Sequence, residues 1–411
     1  MLHRLAKVVW LAVALSGLCP PTHANTTSAA GATAAPVAEA PIRLAQSDIS
    51  IYPGLPPEAA APAAAAAPAV PEVRIALLVP LQSDALRVAA DAVRAGFLAA
   101  HDREQEGMAV TVVETGDAAQ DILSAYIDAA SQYDIVVGPM SRSGVAAVAQ
   151  SGEVRKPTIA LTQPDVAEAD AKLPQQMLVM GLSIEDEARQ VAAWAGAGRK
   201  TARAVIVSGN IAWQRRAANA FAEQWQKQGK ELESIELPAF SGYLGARDLA
   251  QLKTQLEFDK PALLFAALDD RQARQLRTAI GNDIPLYGTS QLNPVALTDW
   301  DVAERAAELD GARLLDIPWQ LESDHPAVMV YPRPAANADQ IRRADSERLY
   351  ALGIDAYRVA REIALKRTDF ELDGVTGKLR VRFNASAPYF QRTEQQAVYR
   401  DGGVTALTDP R

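Results

Sequence analysis

Short apolar runs alternate along most of the chain with longer segments whose apolar residues recur at helical spacing. The first run, residues 74–79, is continuously apolar after its arginine, which is typical of a strand buried on both faces. The segment at 84–101 places Leu86, Val93 and Phe97 on one helical face. Strands that alternate with helices in this way predict a parallel sheet with helices on both sides.

The alternation occurs twice, because a helix with an acidic first turn (Glu185, Asp186 and Glu187) restarts it after residue 181. Each of the two units has the size of a typical domain. The first unit, about residues 73–181, has predicted strands at 74–79, 109–113, 135–139, 158–161 and 177–180. The second unit, about residues 182–288, has predicted strands at 204–208, 235–237, 262–266 and 285–288.

Three further segments predict that the chain returns to both units. They are a strand at 310–316, an amphipathic helix at 349–365, and a strand at 376–383. In the last of these, Leu379, Val381 and Phe383 alternate with polar residues, as in a half-exposed antiparallel strand. We therefore expect an α/β protein of two lobes, each a mostly parallel sheet with helices on both faces, with a cleft between the lobes.

The first 24 residues have the features of an export signal. Arg4 and Lys7 form a basic start, and residues 8–18 are an uncharged apolar run that is too short to span a bilayer. Two ways of processing stay open. Cleavage after Ala24 would release a soluble protein, whereas the lipobox-like sequence before Cys19 would make that cysteine a lipidation site, although Leu18 replaces the small residue expected there.

Residues 25–72 are rich in alanine, proline, threonine and serine. The segment has too little bulky apolar surface to fold, so we expect a disordered linker. The sequence therefore predicts three regions: a signal peptide at 1–24, a linker at 25–72 and a folded domain at 73–411.

Composition excludes several classes of function. The 411 residues carry a net charge of −9 without a concentrated basic segment, so nucleic acid is not an expected partner. The single cysteine and four scattered histidines offer no ligand set for a zinc site. Neither a G-x-S-x-G turn nor a glycine-rich phosphate loop follows any predicted strand. We expect a protein that is not an enzyme and that has no metal, no cofactor and no catalytic residues.

Small and polar residues follow several predicted strands, at the edge where open α/β sheets bind ligands. Their hydroxyl and amide groups can hold a small polar ligand without covalent chemistry. Such residues also cap helices and close turns, so a purely structural role stays open for each of them. The candidate ligand-binding residues are Gln82, Ser83, Pro139, Ser141, Thr162, Gln163, Trp213, Ser290, Gln291 and Trp319.

A series of short segments, spread from residue 73 to the end of the chain, resembles one known family. None of the segments is specific alone, and their order and spacing carry the resemblance. They are 75–81 (IALLVPL), 92–100 (AVRAGFLAA), 137–139 (VGP), 181–188 (GLSIEDEA), 287–291 (YGTSQ), 316–319 (DIPW), 352–358 (LGIDAYR) and 374–379 (GVTGKL). Together they resemble the LppC/LpoA family of penicillin-binding protein activators.

The resemblance implies a type I periplasmic-binding-protein-like fold, which agrees with the two lobes expected from periodicity. It also implies a lipoprotein in the periplasm, anchored to the inner leaflet of the outer membrane, that stimulates a class A penicillin-binding protein. Two features depart from related proteins. The long family members carry a helical repeat domain where this chain has its linker, and Trp213 is followed by Gln214 where amino-acid binders have glycine.

Two functions are therefore expected as alternatives. The first is a non-catalytic regulator that binds and activates a class A penicillin-binding protein, a peptidoglycan synthase. The second is a periplasmic substrate-binding protein that carries an amino acid or a small amide to a transporter or receptor. In either case a lipid anchor would be its only contact with a membrane.

Overall fold

The computed structural model describes residues 72–105, 107–165, 173–294, 305–334, 344–383 and 388–407. These residues belong to one compact unit, Ala66–Arg411. The predicted signal peptide, Cys19 and the predicted linker up to residue 71 lie outside the described residues, so they stay predictions. Within the described part, no helix is both long enough and apolar enough to cross a bilayer.

The first lobe begins with strands and helices that alternate. Its elements are β1 (Val73–Val79), α1 (Arg87–Arg103), β2 (Met108–Glu114), α2 (Ala119–Gln132), β3 (Ile135–Val137), α3 (Arg142–Gln150), β4 (Thr158–Ala160) and β5 (Met177–Val179). The strands pair in parallel in the order β2-β1-β3-β4-β5. From Ile75 to Val79 the central strand is at most 1% exposed, because helices cover both of its faces.

The second lobe repeats the pattern. Its elements are α4 (Ile184–Gly196), β6 (Arg203–Ser208), α5 (Ala212–Lys227), β7 (Glu231–Glu236), β8 (Ala239–Phe240), β9 (Tyr243–Leu244), α6 (Ala246–Asp259), β10 (Leu263–Ala267), α7 (Asp270–Ile280) and β11 (Leu286–Gly288). Helices α4 and α5 pack on one face of the sheet, and α6 and α7 pack on the other. The β8–β9 hairpin lies beside α7.

The rest of the chain contributes to both lobes. Its elements are β12 (Arg313–Asp316), α8 (Pro318–Leu321), α9 (Ala344–Ala364), β13 (Asp369–Gly374), β14 (Gly377–Arg382), β15 (Tyr389–Thr393), β16 (Gln395–Arg400) and β17 (Gly403–Ala406). The second sheet has the order β17-β16-β12-β11-β10-β6-β7, with β16 and β17 antiparallel to their neighbours. The antiparallel β13–β15 sheet packs into the core of the first lobe. The predicted fold class is confirmed.

Helix α9 closes the first lobe by packing tightly against α1. A Cβ atom on Gly353 would lie 2.1 Å from the carbonyl oxygen of Val93, and one on Gly96 would lie 1.8 Å from that of Tyr350. Glycine at both positions therefore lets the two helix backbones approach more closely than any side chain would allow. This contact joins segments about 250 residues apart in sequence and lets α9 carry polar side chains toward the second lobe.

Candidate functional site

A polar cavity of about 260 Å³ lies between the lobes and brings together four of the predicted cleft residues. Thr162 and Gln163 follow β4 in the first lobe, Trp213 lies in the first turn of α5, and Gln291 follows β11. All four are partly exposed. Their hydroxyl, amide and indole groups can contact a small polar molecule from both lobes at once.

Charged side chains from both lobes also line this cavity. The Arg216 Nε atom donates to Glu185 Oε1 at 2.7 Å, and Arg142 Nη1 approaches the same oxygen to 3.8 Å from the opposite lobe. Arg142 also donates to the carbonyl oxygen of Pro164 at 3.4 Å. One carboxylate is thus shared by two guanidinium groups, so the local charge is positive and suits an acidic or dipolar ligand group.

Four other predicted residues lie at strand ends but do not line the cavity. Ser83 Oγ accepts a hydrogen bond from Leu86 N at 3.2 Å and donates to Asp117 at 2.8 Å. Ser141 caps α3 by accepting from Gly144 N at 3.1 Å. Pro139 is buried after a cis peptide bond, and Gln82 is exposed. The two serines therefore have the structural role that strand-end hydroxyls can always take.

The side chains of Trp319 and Ser290 lie inside the protein rather than on the cleft surface. Trp319 has no exposed surface, its indole N–H donates to Glu347 at 2.5 Å, and the Arg333 guanidinium stacks 4.1 Å from its ring centre. Ser290 is 3% exposed, and its backbone N–H and hydroxyl both donate to Glu187, at 2.9 and 3.1 Å. Both residues stabilise the fold, because their polar atoms are already paired within it.

A buried arginine from the first lobe reaches into the second. Arg348, in α9, is 4% exposed and donates two hydrogen bonds to the carboxylate of Asp316, at 2.9 and 2.6 Å. It also donates to the carbonyl oxygens of Ser290 and Asn293, at 3.0 and 2.8 Å. Asp316 has no exposed surface. This bidentate pair joins α9 to the ends of β11 and β12 and fixes the position of one lobe against the other.

A second buried arginine holds the place where the chain first leaves the first lobe. Arg392, in β15, donates to the carbonyl oxygens of Met180 and Gly181, at 2.9 and 2.8 Å. It also donates to the Thr376 hydroxyl at 3.0 Å, and that hydroxyl donates to Asp355 at 2.6 Å. Because Met180 and Gly181 directly follow β5, these bonds attach the crossing segment to the β13–β15 sheet.

Two buried carboxyl groups lie beside these arginines. Burial raises the pKa of Glu187 to about 7, although hydrogen bonds from Ser290 and the charge of Arg348 oppose the shift. Burial and the negative charge of Glu187 also raise the pKa of Glu394 well above its ordinary value. One oxygen of Glu394 has no hydrogen-bond partner among the described residues. The fold therefore favours the protonated form of both groups relative to the unfolded chain.

The sequence did not predict these inter-lobe residues, yet several lie in the segments that carry the family resemblance. Segment 181–188 contains Glu187, segment 316–319 contains Asp316, and segment 352–358 contains Asp355. The sequence pattern indicates a helix start at Glu187, a strand end at Asp316 and an amphipathic helix around Asp355, but it does not show that these carboxylates are buried. An acidic residue directly after buried apolar strand residues, as Asp316 follows Leu314 and Leu315, is the signal that could have indicated a buried ion pair.

The described residues contain no group of histidine, cysteine and acidic side chains that could hold a metal ion. His101 Nε2 lies 3.3 Å from the carbonyl oxygen of Met108, and His325 Nε2 lies 3.6 Å from Asp373. The two histidines therefore have ordinary structural partners.

Two lobes of parallel sheet, three chain crossings and a polar cavity between the lobes define the type I periplasmic-binding class of protein. Residues 64–402 match the family described as "LppC putative lipoprotein", and the chain belongs to that family. The predicted family is therefore confirmed. Comparison with curated proteins gives no match.

Solved structures show the same fold. A "putative branched-chain amino acid ABC transporter" from Chromobacterium violaceum is 35% identical, with 80% of this chain and all of that one covered and a TM-score of 0.63. The C-domain of LpoA from Haemophilus influenzae, named as a regulator of PBP1A, is 21% identical, with 82% of this chain and all of that domain covered and a TM-score of 0.63. Full-length LpoA is 18% identical, with a TM-score of 0.64, and this chain spans 59% of its length.

Proposed function

We propose that this protein is a non-catalytic regulator of peptidoglycan synthesis, which binds and activates a class A penicillin-binding protein in the cell envelope. The observation that carries the proposal is membership of the LppC family over residues 64–402. The likeness of the fold to the LpoA C-domain, a regulator of PBP1A, supports it.

The physical chemistry of the site is consistent with regulation by contact. The described residues contain no metal-binding cluster, and the polar groups between the lobes bind one another. Arg348 joins the two lobes, and Arg392 attaches the crossing segment to the β13–β15 sheet. Such fixed contacts suit a scaffold that presents one surface to a large partner. An activator of another enzyme needs such a surface rather than reactive groups of its own.

The proposal includes a location in the periplasm, with a lipid anchor at Cys19 as the link to the outer membrane. Mass spectrometry of the mature amino terminus tests the anchor. A diacylated Cys19 supports it, and a mature chain that begins at Asn25 contradicts it without affecting the proposed binding.

The binding itself can be tested with purified components. We expect the mature protein to bind a purified class A penicillin-binding protein from the same organism in biolayer interferometry. An unrelated periplasmic binding protein with the same fold serves as the control. Absence of binding, under conditions in which the synthase is active, would contradict the proposal.

The second candidate function is binding of a small amino acid or amide in the inter-lobe cavity. The observation that favours it is the convergence of Thr162, Gln163, Trp213 and Gln291 on one cavity of about 260 Å³. The 35% identical protein from Chromobacterium violaceum, named for branched-chain amino acid transport, supports it as well. The charged Arg142, Glu185 and Arg216 in the same cavity favour a ligand with its own charged groups.

A thermal-shift screen of amino acids and cell-wall fragments tests this second function, because a ligand that binds only the native state raises the melting temperature. The Trp213→Ala variant should lose any shift caused by a cavity ligand, while Gln82→Ala, outside the cavity, should keep it. The absence of any shift across the screen would contradict this function and leave the first one unaffected.

A further inference from the structure

An apolar groove on the second lobe shares no lining residue with the inter-lobe cavity. It runs between α6 and α7 beside the β8–β9 hairpin and has a volume of about 640 Å³, against about 260 Å³ for the inter-lobe cavity. We call it the α6–α7 groove and define it by Tyr243, Leu244, Leu249, Ala250, Lys253 and Arg271. A volume of ~300–1,000 Å³ is typical of sites that bury a bound molecule.

Small residues open this groove. Ala246 and Ala250 of α6, one helical turn apart, face it together with Ala279 of α7. Leu244 and Leu249, 6% and 8% exposed, form its floor. Larger side chains at the three alanine positions would fill the space between the helices. The groove can therefore seat apolar side chains that project at i and i+4 from a helix laid along it.

Large apolar side chains are exposed at one end of the groove. Phe240 is 76% exposed, and its cross-strand partner Tyr243 is 52% exposed. The Arg271 guanidinium lies 5.3 Å from the ring centre of Tyr243, so the ring and the cation form one continuous surface. The aromatic rings of the hairpin and the apolar groove together form one continuous patch, which is larger than a single exposed apolar residue. Such patches mark sites of protein interaction.

The charge around the groove is the reverse of the charge of the whole chain. Lys253, Arg271 and Arg274 line it with one carboxylate, Glu308, whereas the chain as a whole carries −9. Glu308 already binds Arg274 at 3.1 Å. Lys253 and Arg271 have no ion pair with any described side chain. These two cations are therefore able to bind carboxylates of a partner.

We infer that the α6–α7 groove is the docking surface for the peptidoglycan synthase and takes an acidic amphipathic helix from it. This inference rests on the proposed function and adds the location and the chemistry of the contact. The apolar side chains of the helix lie on Leu244 and Leu249, and its acidic side chains bind Lys253 and Arg271. A second copy of this chain is a poorer fit: its acidic helix α4 buries Ala188, Val191 and Ala192 in the core.

Charge reversal at the groove tests the inference in the full-length mature protein. We expect Lys253→Glu/Arg271→Glu to weaken binding of the purified class A synthase at least tenfold in biolayer interferometry. Ala250→Trp, which fills the groove without a change of charge, should weaken it similarly. Lys227→Glu on α5, on the opposite face of the same sheet, is the control and should bind as the unchanged protein does. Circular dichroism and the melting temperature show whether each variant is folded.

The outcomes separate the groove from the function. Binding of both groove variants at unchanged affinity would overturn the inference, while the proposed function would stand. If the unchanged protein does not bind the synthase, the proposed function fails and the inference fails with it. A photo-crosslinking amino acid at position 250 provides a second measurement in cells. A crosslink to the synthase supports the inference, and a crosslink only to a second copy or to residues 1–71 of the same chain overturns it.

Discussion

Breaking the bidentate pair of Arg348 and Asp316 tests most directly how the two lobes are held together. In an Arg348→Met variant, methionine preserves much of the aliphatic volume but removes every donor. The carboxylate of Asp316, with no exposed surface, loses two hydrogen bonds, and the carbonyl oxygens of Ser290 and Asn293 each lose one. Asp316 keeps the hydrogen bonds from Asn293 Nδ2 and Ile317 N, both at 2.8 Å, but its buried charge loses the guanidinium group that neutralises it.

Removing one partner of a buried ion pair costs about 3–5 kcal/mol, because the remaining charge is desolvated without compensation. Urea unfolding of the full chain measures this loss as a change in the free energy of unfolding. The matched control is Arg380→Met, which breaks an exposed pair with Glu371 at 2.9 Å. Exposed pairs contribute about 0–1 kcal/mol, so the control should lose much less.

A double variant, Arg348→Met/Asp316→Leu, should recover part of the loss, because it also removes the buried charge. If Arg348→Met loses no more stability than Arg380→Met, the pair does not hold the lobes together and the reasoning from burial is refuted. If the double variant is less stable than Arg348→Met alone, the loss comes from packing around the side chain rather than from the stranded carboxylate.

Three further predictions follow from single residues. Gly353→Ala should lower the free energy of unfolding by about 1–3 kcal/mol, because the new Cβ collides with the Val93 carbonyl. Helix propensity alone would raise it by about 1 kcal/mol. The sign of the change measured by urea unfolding therefore shows which effect is larger. Folding raises the pKa of Glu187 from 4.5 to about 7. The protonated group therefore contributes fully to the free energy of unfolding below about pH 4.5, and this contribution is lost as the pH rises through about 7. Glu187→Gln should therefore make the free energy of unfolding fall less steeply between pH 5 and 8, and the part of the fall that comes from Glu394 should remain. A fall as steep as that of the unchanged protein would contradict this. Ser141→Ala should cost about 1 kcal/mol as a lost helix cap and leave any ligand-induced thermal shift unchanged, whereas loss of that shift would give Ser141 a binding role.

The architecture of the two sheets could be predicted from the sequence because strands buried on both faces are continuously apolar. The runs at 74–79 and 262–266 correspond to β1 and β10, which are almost fully buried. The sequence did not predict β13 or β15–β17, because each is short and exposes polar side chains on at least one face. Strand β7 begins at Glu231 rather than 235, because the glutamates at 231 and 233 interrupt the apolar pattern of this edge strand.

The site was less predictable, because strand-end residues have similar sequences whatever they contact. Thr162 and Gln163 line the inter-lobe cavity, whereas Ser141, also at a strand end, caps a helix. Trp319 is buried by α9, which lies about 30 residues later in the chain, and no local pattern indicates that contact. The same is true of Arg348, whose hydrogen-bond partners outside α9 come from two other segments, after β11 and at the end of β12.

Reconstituted peptidoglycan synthesis tests the central claim most directly. A purified class A penicillin-binding protein from the same organism is supplied with lipid II, and the fraction of crosslinked product is measured with and without the mature protein. We predict that the mature protein raises the rate of crosslinking, and that the Lys253→Glu/Arg271→Glu variant raises it less than Lys227→Glu does. Crosslinking that is unchanged by a saturating amount of the folded protein would contradict the account.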